Sequence, residues 1–275
     1  MQKNINDKPT ADAFADSWNN LPLGSVYDEY QFKDLIEPMT KKDIEGKRVL
    51  EMGCGNASLM MMIANWSPEL LVGVDLGDSV KSAEKNMKMI SYKNWKIEQS
   101  DLTEYTSNGF DFVYCIGVLH HLKDPKKGFD AVVSNTNSGG GFHCWVYAYE
   151  GNAIIRYIVD PIRKVSCKLP WWITKYFIAT PLVVPYYFYA KFLKRFNQVS
   201  LFKKLPLYQY SQWIAKREFL FFRHVAFDQL VTPQTTYIKK TTIQKWLNDN
   251  SEIKNDSIYI IMRNGNSWKF GGKKK

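Results

Sequence analysis

Apolar residues recur along this chain in short runs of strand length, separated by stretches with helical spacing. Arg48–Met52, Leu70–Asp75, Trp95–Gln99 and Phe110–Ile116 read as four strands. Between them, residues 58–66 and 78–90 set apolar side chains three and four positions apart, which predicts helices. A further helix near 125–137 should end at Gly139-Gly140-Gly141, and that triplet should open a fifth strand at Phe142–Tyr147. Strands alternating with helices of this length pair in parallel through right-handed crossovers. The fold expected is therefore α/β, a doubly wound and mostly parallel sheet. Ahead of it, Phe14, Trp18, Tyr27, Tyr30, Phe32, Leu35 and Ile36 suggest one or two amphipathic helices within residues 1–45. Toward the end, Thr241–Leu247 reads as a helix and Ser257–Arg263 as a strand returning to the sheet. Phe227–Pro233 and Asn264–Trp268 read as loops. No fixed-period repeat points to a solenoid.

Composition divides the 275 residues further. The net charge is +10, yet residues 151–240 alone hold 15 Lys and Arg against Asp160, Glu218 and Asp228. The same stretch carries 20 of the 41 aromatic residues. Four segments are expected: an N-terminal helical cap (1–45), a ligand-binding core (46–150), a basic, aromatic-rich helical insert (151–240) and a C-terminal return (241–275). With 45% hydrophobic and 23% charged residues, a disordered chain is excluded. The four cysteines lie far apart with no C-x-x-C pair, so neither a disulfide framework nor a metal cluster is expected. The opening residues carry no apolar run, which predicts no signal peptide and a cytoplasmic setting.

The chemistry starts where the first strand meets the first helix, at Glu51-Met-Gly53-Cys54-Gly55-Asn56-Ala57. Gly53 can take a positive φ, and Gly55 lets the backbone approach a ligand closely. A tight strand–helix turn alone would also explain both glycines. Asp75 closes the second strand, where an acid can bind ribose hydroxyls or, more plainly, cap the next helix. Glu51 discriminates between ligands. A pyrophosphate brought to this turn would be repelled by it, whereas a ligand with an ammonium and a sulfonium would be welcome. Asp101, after the third strand, can accept from an adenine amino group.

Val49-Leu-Glu-Met-Gly-Cys-Gly-Asn-Ala57 resembles the first motif of the class I S-adenosylmethionine-dependent methyltransferases, which are Rossmann-like. Val72–Leu76, Asp101-Leu102 and Phe110–Pro125 are similar to the motifs that follow it, in order and at the right spacing. Ala57 departs from the pattern, which often has a third glycine there. The resemblance covers about residues 46–150 and implies S-adenosylmethionine as cofactor. It implies that Gly53 and Gly55 shape the pocket for the methionine portion, with Glu51 lining it and Cys54 and Asn56 in the same turn. Asp75 would take the ribose hydroxyls, and Leu76 would lie against the adenine. Asp101 and Leu102 would close over that ring, and Cys115 and Ile116 would offer backbone contacts to the amino group.

A methyl acceptor should sit at the carboxyl ends of the fourth and fifth strands. His120, His121 and Glu150 are the candidates for a base there, although packing roles for the histidines and a solvated role for Glu150 stay open. Tyr147 and Tyr149, with Tyr27 and Tyr30 from the N-terminal segment, are candidates for substrate contacts. The resemblance makes the insert a substrate-recognising cap. Its surface fits a plain solvated cap, an anionic membrane with a lipid-linked or amphipathic acceptor, or RNA, the last without any RNA-binding motif. Tyr176–Ala190 is uncharged, but it is too short and too rich in proline to span a bilayer. A methyltransferase acting on a small or amphipathic anionic molecule is the function expected. The alternatives are an RNA methyltransferase, a nicotinamide-dependent oxidoreductase and a noncatalytic cofactor-binding module.

Overall fold

A computed structural model describes residues 7–19, 29–107 and 109–275 of the chain. Its centre is a seven-stranded sheet in the order β3-β2-β1-β4-β5-β7-β6. The strands are β1 (Arg48–Met52), β2 (Leu70–Asp75), β3 (Trp95–Gln99), β4 (Phe110–Ile116), β5 (Thr136–Tyr147), β6 (Tyr259–Arg263) and β7 (Ser267–Lys273). The first five are parallel, and β7 runs antiparallel between β5 and β6. This is the doubly wound, mostly parallel α/β sheet that the strand–helix alternation implied. Helices α1 (Lys8–Asn19) and α2 (Glu29–Ile36) precede the sheet; α3 (Ser58–Ile63), α4 (Val80–Lys88) and α5 (Pro125–Ser134) make the crossovers. Phe32 and Ile36 of α2, Met60 and Ile63 of α3 and Met87 of α4 pack one face of the sheet. Phe129 and Val133 of α5 cover the other, joined by Ile243 and Trp246 from a late helix (Lys240–Asp249).

Several boundaries differ from expectation, two of them in the sheet with a clear physical reason. The glycine triplet does not end a helix; it lies within β5, which starts six residues early. A Cβ on Gly140 would fall 2.8 Å from the Asp111 carbonyl oxygen, and one on Gly141 2.8 Å from the Phe112 ring. The glycines therefore let β5 press against β4 across a shift in register between Phe110 and Phe112. The second difference is Asn264–Trp268, which is no loop at the cap's return. It is the turn of the β6–β7 hairpin and the first residues of β7, with Asn264 and Gly265 both at positive φ.

Between β5 and β7 the chain makes a helical insert, with α6 (Asp160–Ser166), the short α7 (Trp171–Ile173), α8 (Thr180–Arg195), α9 (Tyr208–Ile214) and α10 (Phe219–Val231). Phe227–Val231, read as part of a loop, is the end of α10. The late helix Lys240–Asp249 is α11. Wide π-type turns at Ile155–Val159 and Thr174–Ala179 each run up to a proline two residues on, Pro161 and Pro181. Proline lacks the N–H a helix needs and crowds the carbonyl four residues back, which a wider turn relieves. The Thr180 hydroxyl donates to the Lys175 carbonyl (2.9 Å) inside the second of these turns. The insert has small cores of its own, one joining Val183 and Ala190 to Ile214 and Phe222.

The N-terminal segment is pinned to the hairpin by buried polar contacts. Arg263 Nε donates to Asp34 Oδ2 (2.8 Å), a second guanidinium nitrogen reaches the same oxygen, and Lys269 Nζ donates to the Asp34 carbonyl (2.9 Å). His143 lies between the same two parts, its Nε2 3.0 Å from the Leu35 carbonyl and its Nδ1 2.7 Å from the Tyr259 hydroxyl. A carbonyl only accepts, so Nε2 carries the proton and Nδ1 accepts from the tyrosine. Burial holds this imidazole neutral, its pKa lowered to about 4.

Asp34→Ala leaves a buried guanidinium unpaired and is expected to lower unfolding free energy by roughly 3 kcal/mol in denaturant titration; a loss below about 1 kcal/mol would contradict the pinning role. For His143 the folded pKa lies below the unfolded one, so its contribution is present above about pH 6.5 and is lost as pH falls toward 4. His143→Gln should therefore flatten the acid limb of the stability curve by up to about 1.4 kcal/mol per pH unit in that window. Parallel curves for the two proteins would refute this.

Candidate active site

At the carboxyl ends of β1, β2 and β4 lies a cavity of about 680 Å³. This is the crevice where strand order reverses between β1 and β4, the usual ligand position in an open α/β sheet. Its floor is the glycine turn, with Gly53 and Gly55 at φ of 85° and 53°. A Cβ on Gly53 would stand 2.3 Å from Val118 Cγ2, another wall of the cavity, so this position needs glycine for space as well as conformation. Ala57 takes the left-handed conformation itself, with φ of 64°. An alanine there bears a cost that glycine would not.

Asp75 organises the turn. Its Oδ2 accepts from Gly55 N (2.9 Å), and its Oδ1 accepts from Gly77 N (2.9 Å) and Ser79 Oγ (3.0 Å). A carboxylate has about four acceptor sites, which leaves one on Oδ2 for a ligand hydroxyl. Burial raises this carboxyl above its ordinary pKa, opposed by those hydrogen bonds. Glu51 is buried at the end of β1 and accepts from the Tyr114 hydroxyl (3.0 Å). Burial lifts its pKa well above the usual carboxylate range, with the Asp75 charge adding to the effect. A buried acid, Glu51, and a half-buried one, Asp75, flank the turn, an arrangement that suits a cation. Asn56 accepts from Ser58 N (3.2 Å) at the start of α3, while the Asn86 amide holds the Asn56 carbonyl (2.9 Å). Cys54 lines the cavity with a thiol that burial keeps protonated.

Leu76, Asp101 and Leu102 line the adjoining end, and one Asp101 oxygen accepts from both Thr103 N and Thr103 Oγ1 (2.8 Å each). Ile116 lines the cavity as well, whereas Cys115 is wholly in the core and does not. Of the candidate bases, only His121 reaches the cavity. Its Nδ1 is 2.9 Å from the Gln234 carbonyl, so Nδ1 bears the proton and Nε2 the lone pair. Burial lowers its pKa to about 4. His120 turns into an aromatic pack, 4.1 Å from the Tyr147 ring and 5.7 Å from Trp145, with neither ring nitrogen hydrogen-bonded. The two imidazoles touch, 4.1 Å between ring centroids, but only His121 lines the cavity.

Glu150 is engaged elsewhere. Its carboxylate accepts from Lys240 N and Trp268 Nε1 (3.0 Å each), tying β5 to α11 and β7, and it does not line the cavity. Burial pushes its pKa up, but those hydrogen bonds and the Lys239 charge bring it below the ordinary value. A carboxylate held in that way is a poor proton acceptor. Tyr147 lines the cavity, but Tyr149 stacks with the Arg156 guanidinium (3.6 Å) outside it. Tyr30 is exposed beside Lys216 and Arg217, and Tyr27 lies outside the described residues.

The roof is what the sequence did not announce. Thr10, Ala11 and Phe14 of α1 close one side, with the Phe14 ring 4.9 Å from His121. Phe221, Val225 and Gln229 of α10 close another, and Trp145, Trp213 and Arg263 line the far end. The 221/225/229 spacing is one helix face and could have been read as such, but nothing local says that it folds back on the first half of the chain.

Residues 43–152 match the model of a family described as a methyltransferase domain. A tRNA U34 carboxymethyltransferase of Helicobacter acinonychis is 31% identical over 130 residues, 44% of this chain and 48% of that protein. An uncharacterized protein of Synechococcus is 31% identical over 124 residues, 43% of this chain and 30% of its own length. The chain thus spans less than half the length of these curated relatives. Among solved structures, magnesium protoporphyrin IX methyltransferase from Synechocystis PCC 6803 with bound SAH is 15% identical, covers 84% of this chain and 75% of that one, and gives a TM-score of 0.49. The sheet order and the acid-flanked glycine turn thus belong to a part of the chain, residues 43–152, that is similar to a methyltransferase domain.

Proposed function

We propose that the chain binds S-adenosylmethionine in the 680 Å³ cavity and transfers its methyl group to an acceptor held between β5 and α10. The observation that carries this reading is the pair of acids, buried Glu51 and half-buried Asp75, on either side of the glycine turn. Glu51 meets the ammonium of the methionine portion, and that charge draws its carboxyl back to the ionised form. Asp75 Oδ2 takes a ribose hydroxyl while it continues to hold Gly55. Asp101 and Leu102 border the adenine, and Ile116 borders the amino acid. When bound, the cofactor supplies an electrophilic methyl on a sulfonium, and displacement there needs an aligned acceptor more than it needs acid–base chemistry. Where the acceptor must lose a proton, His121 Nε2 is the cavity-lining group placed to take it, a weak base with its pKa at about 4.

The acceptor end is aromatic, with Trp145, Tyr147, Trp213 and Phe221 around it. The indole N–H groups of Trp145 and Trp213 are buried without a partner. Unpaired buried donors of this kind are rare in native proteins and await an acceptor atom. An amphipathic molecule, small or lipid-linked, with an oxygen placed between the two indoles fits this end. A cytoplasmic protein working beside an anionic membrane is the setting we infer. An RNA acceptor is the second reading, favoured by the tRNA carboxymethyltransferases among the relatives.

Calorimetry with S-adenosylhomocysteine should show binding, and Asp75→Ala should weaken it by about 1.5–3 kcal/mol, the worth of one charged hydrogen bond, or more if the turn loosens. His121→Ala should keep that affinity and lose about 100-fold in turnover if the acceptor is deprotonated. Equal losses of cofactor affinity in the two variants would show the two sides of the cleft to be wrongly assigned, and binding of NAD in place of the homocysteine compound would replace the whole reading. Transfer of labelled methyl into lipid, RNA, protein and small-molecule fractions of an extract identifies the acceptor. Label in the lipid or small-molecule fraction is the expected result. Label confined to RNA would establish the second reading, and no label anywhere would mark a noncatalytic module.

A further inference from the structure

Most of the large apolar side chains that lie exposed among the described residues fall between Ile154 and Leu205. They are not scattered. Phe177, Pro181, Val184, Phe188, Phe192 and Phe196 follow one another at intervals of three or four along the helical stretch from Thr174 through α8. At about 100° per residue all six fall on one side of the helix. The other side is also apolar: Ala179, Val183, Ala190 and Leu193 are buried in the cap. A helix hydrophobic on both sides is ordinarily buried all round. Here one side meets the cores of the insert, and the other stays largely exposed, touching only neighbouring rings of the insert such as Trp172 and Phe202 among the described residues. Phe177 and Phe188 are 69% and 68% exposed, which places whole rings in contact with solvent.

Charge accompanies the stripe. From Pro161 to Arg217 the chain has no acidic residue and eleven lysines and arginines. Arg195 lies on the same side of α8 as the phenylalanines, and Lys203 and Lys204 follow in the next turn of chain, whereas Lys191 Nζ donates inward to the Ala215 carbonyl (2.9 Å). Among the described residues no carboxylate pairs with Lys194, Arg195, Lys203 or Lys204. Trp171 and Trp172, both about half exposed, sit just ahead of the helix. Among the described residues no helix is long and apolar enough to cross a membrane. An apolar stripe with exposed indoles and unpaired cations beside it has the chemistry of the headgroup–acyl boundary of an anionic bilayer.

We infer that this face of α8, with the Trp171–Trp172 turn and the Lys203–Lys204 turn, is a docking surface for an anionic lipid bilayer. Phenylalanine rings enter the acyl boundary while the lysines and arginines meet the headgroups. Single-stranded RNA would need aromatic rings laid open within a basic groove, whereas these rings stand on a convex helix. The surface also has a structural link to the cavity: α8 packs on α10, whose other side is the cavity roof. The bilayer would then lie one helix layer from the acceptor. The surface does not depend on the methyltransferase reading, and its test is independent of turnover.

The full chain is sedimented with neutral phosphatidylcholine vesicles and with vesicles in which about a third of the lipid is phosphatidylglycerol, at low and raised salt. Binding to the anionic vesicles at low salt is expected, weakened by salt and at least tenfold poorer on neutral ones. Phe177→Glu/Phe188→Glu should lose it by tenfold or more, and Lys203→Glu/Lys204→Glu should reduce it. Both variants should retain the affinity for S-adenosylhomocysteine, because none of the four residues lines the cavity. No binding to anionic vesicles would overturn the proposal. So would equal binding by the wild type and the phenylalanine variant. Salt-sensitive capture of single-stranded RNA without vesicle binding would assign the face to nucleic acid. A dimer by analytical ultracentrifugation that the phenylalanine variant dissolves, again without vesicle binding, would assign it to a second copy of the chain.

Discussion

The site depends on one carboxylate. Asp75 ends β2, yet it fixes the loop that follows β1, because its oxygens accept from Gly55 N on one side and from Gly77 N and Ser79 Oγ on the other. The parallel pairing of β1 with β2 brings these atoms together, with Met52 opposite Val74 just before both strands end. A positive-φ turn of small residues has little rigidity of its own. Held by a charged acceptor it becomes a fixed floor, and Glu51, one turn of chain earlier, is presented beside it. The desolvation of two acids is costly, and the structure bears that cost at the point where a cationic ligand would relieve it.

The second half of the chain completes what the first half begins. β7 runs antiparallel beside β5 and carries the hairpin that brings Arg263 to the far end of the cavity, where its guanidinium lies over the Trp145 and Trp213 rings (5.6 and 5.2 Å). The same arginine is bound to Asp34 of α2, so one residue joins the N-terminal segment, the return strands and the cavity wall. α10 closes over the top with one side and supports α8 with the other. The cap is thus a sandwich between the ligand cavity and the aromatic surface, with Phe222 and its neighbours packed between the two.

Much of the sheet and of the cofactor end was legible because both are written locally. Strand runs, helical spacing and the Glu51–Gly55 turn are each contained within a few residues, and their order fixes the topology through the handedness of crossovers. Asp75, Asp101 and Ile116 could be placed because each ends or follows a strand, and strand ends converge at the crevice. The parts misread were set by contacts between distant segments. The glycine triplet looked like a helix stop, but its reason is the close passage of β5 over Asp111 and Phe112. Glu150 looked like a free acid after a strand until Trp268 and Lys240, 118 and 90 positions away, arrived to bind it. β7 was missed because Ser-Trp-Lys-Phe-Gly-Gly-Lys lacks an obvious alternation, being buried on both faces between β5 and β6. The acceptor end was illegible for the same reason: Phe221, Trp213 and Arg263 meet only in the folded chain.

The central claim is that the acid-flanked turn is the seat of a sulfonium nucleoside, and a crystal structure of the chain with S-adenosylhomocysteine tests it most directly. The account predicts a ribose hydroxyl on Asp75 Oδ2, the amino group beside Glu51 and the adenine next to Asp101 and Leu102, with the sulfur facing the Trp145–Tyr147 end. Ligand density away from the Gly53–Gly55 turn, or a ribose that leaves Asp75 untouched, would contradict it.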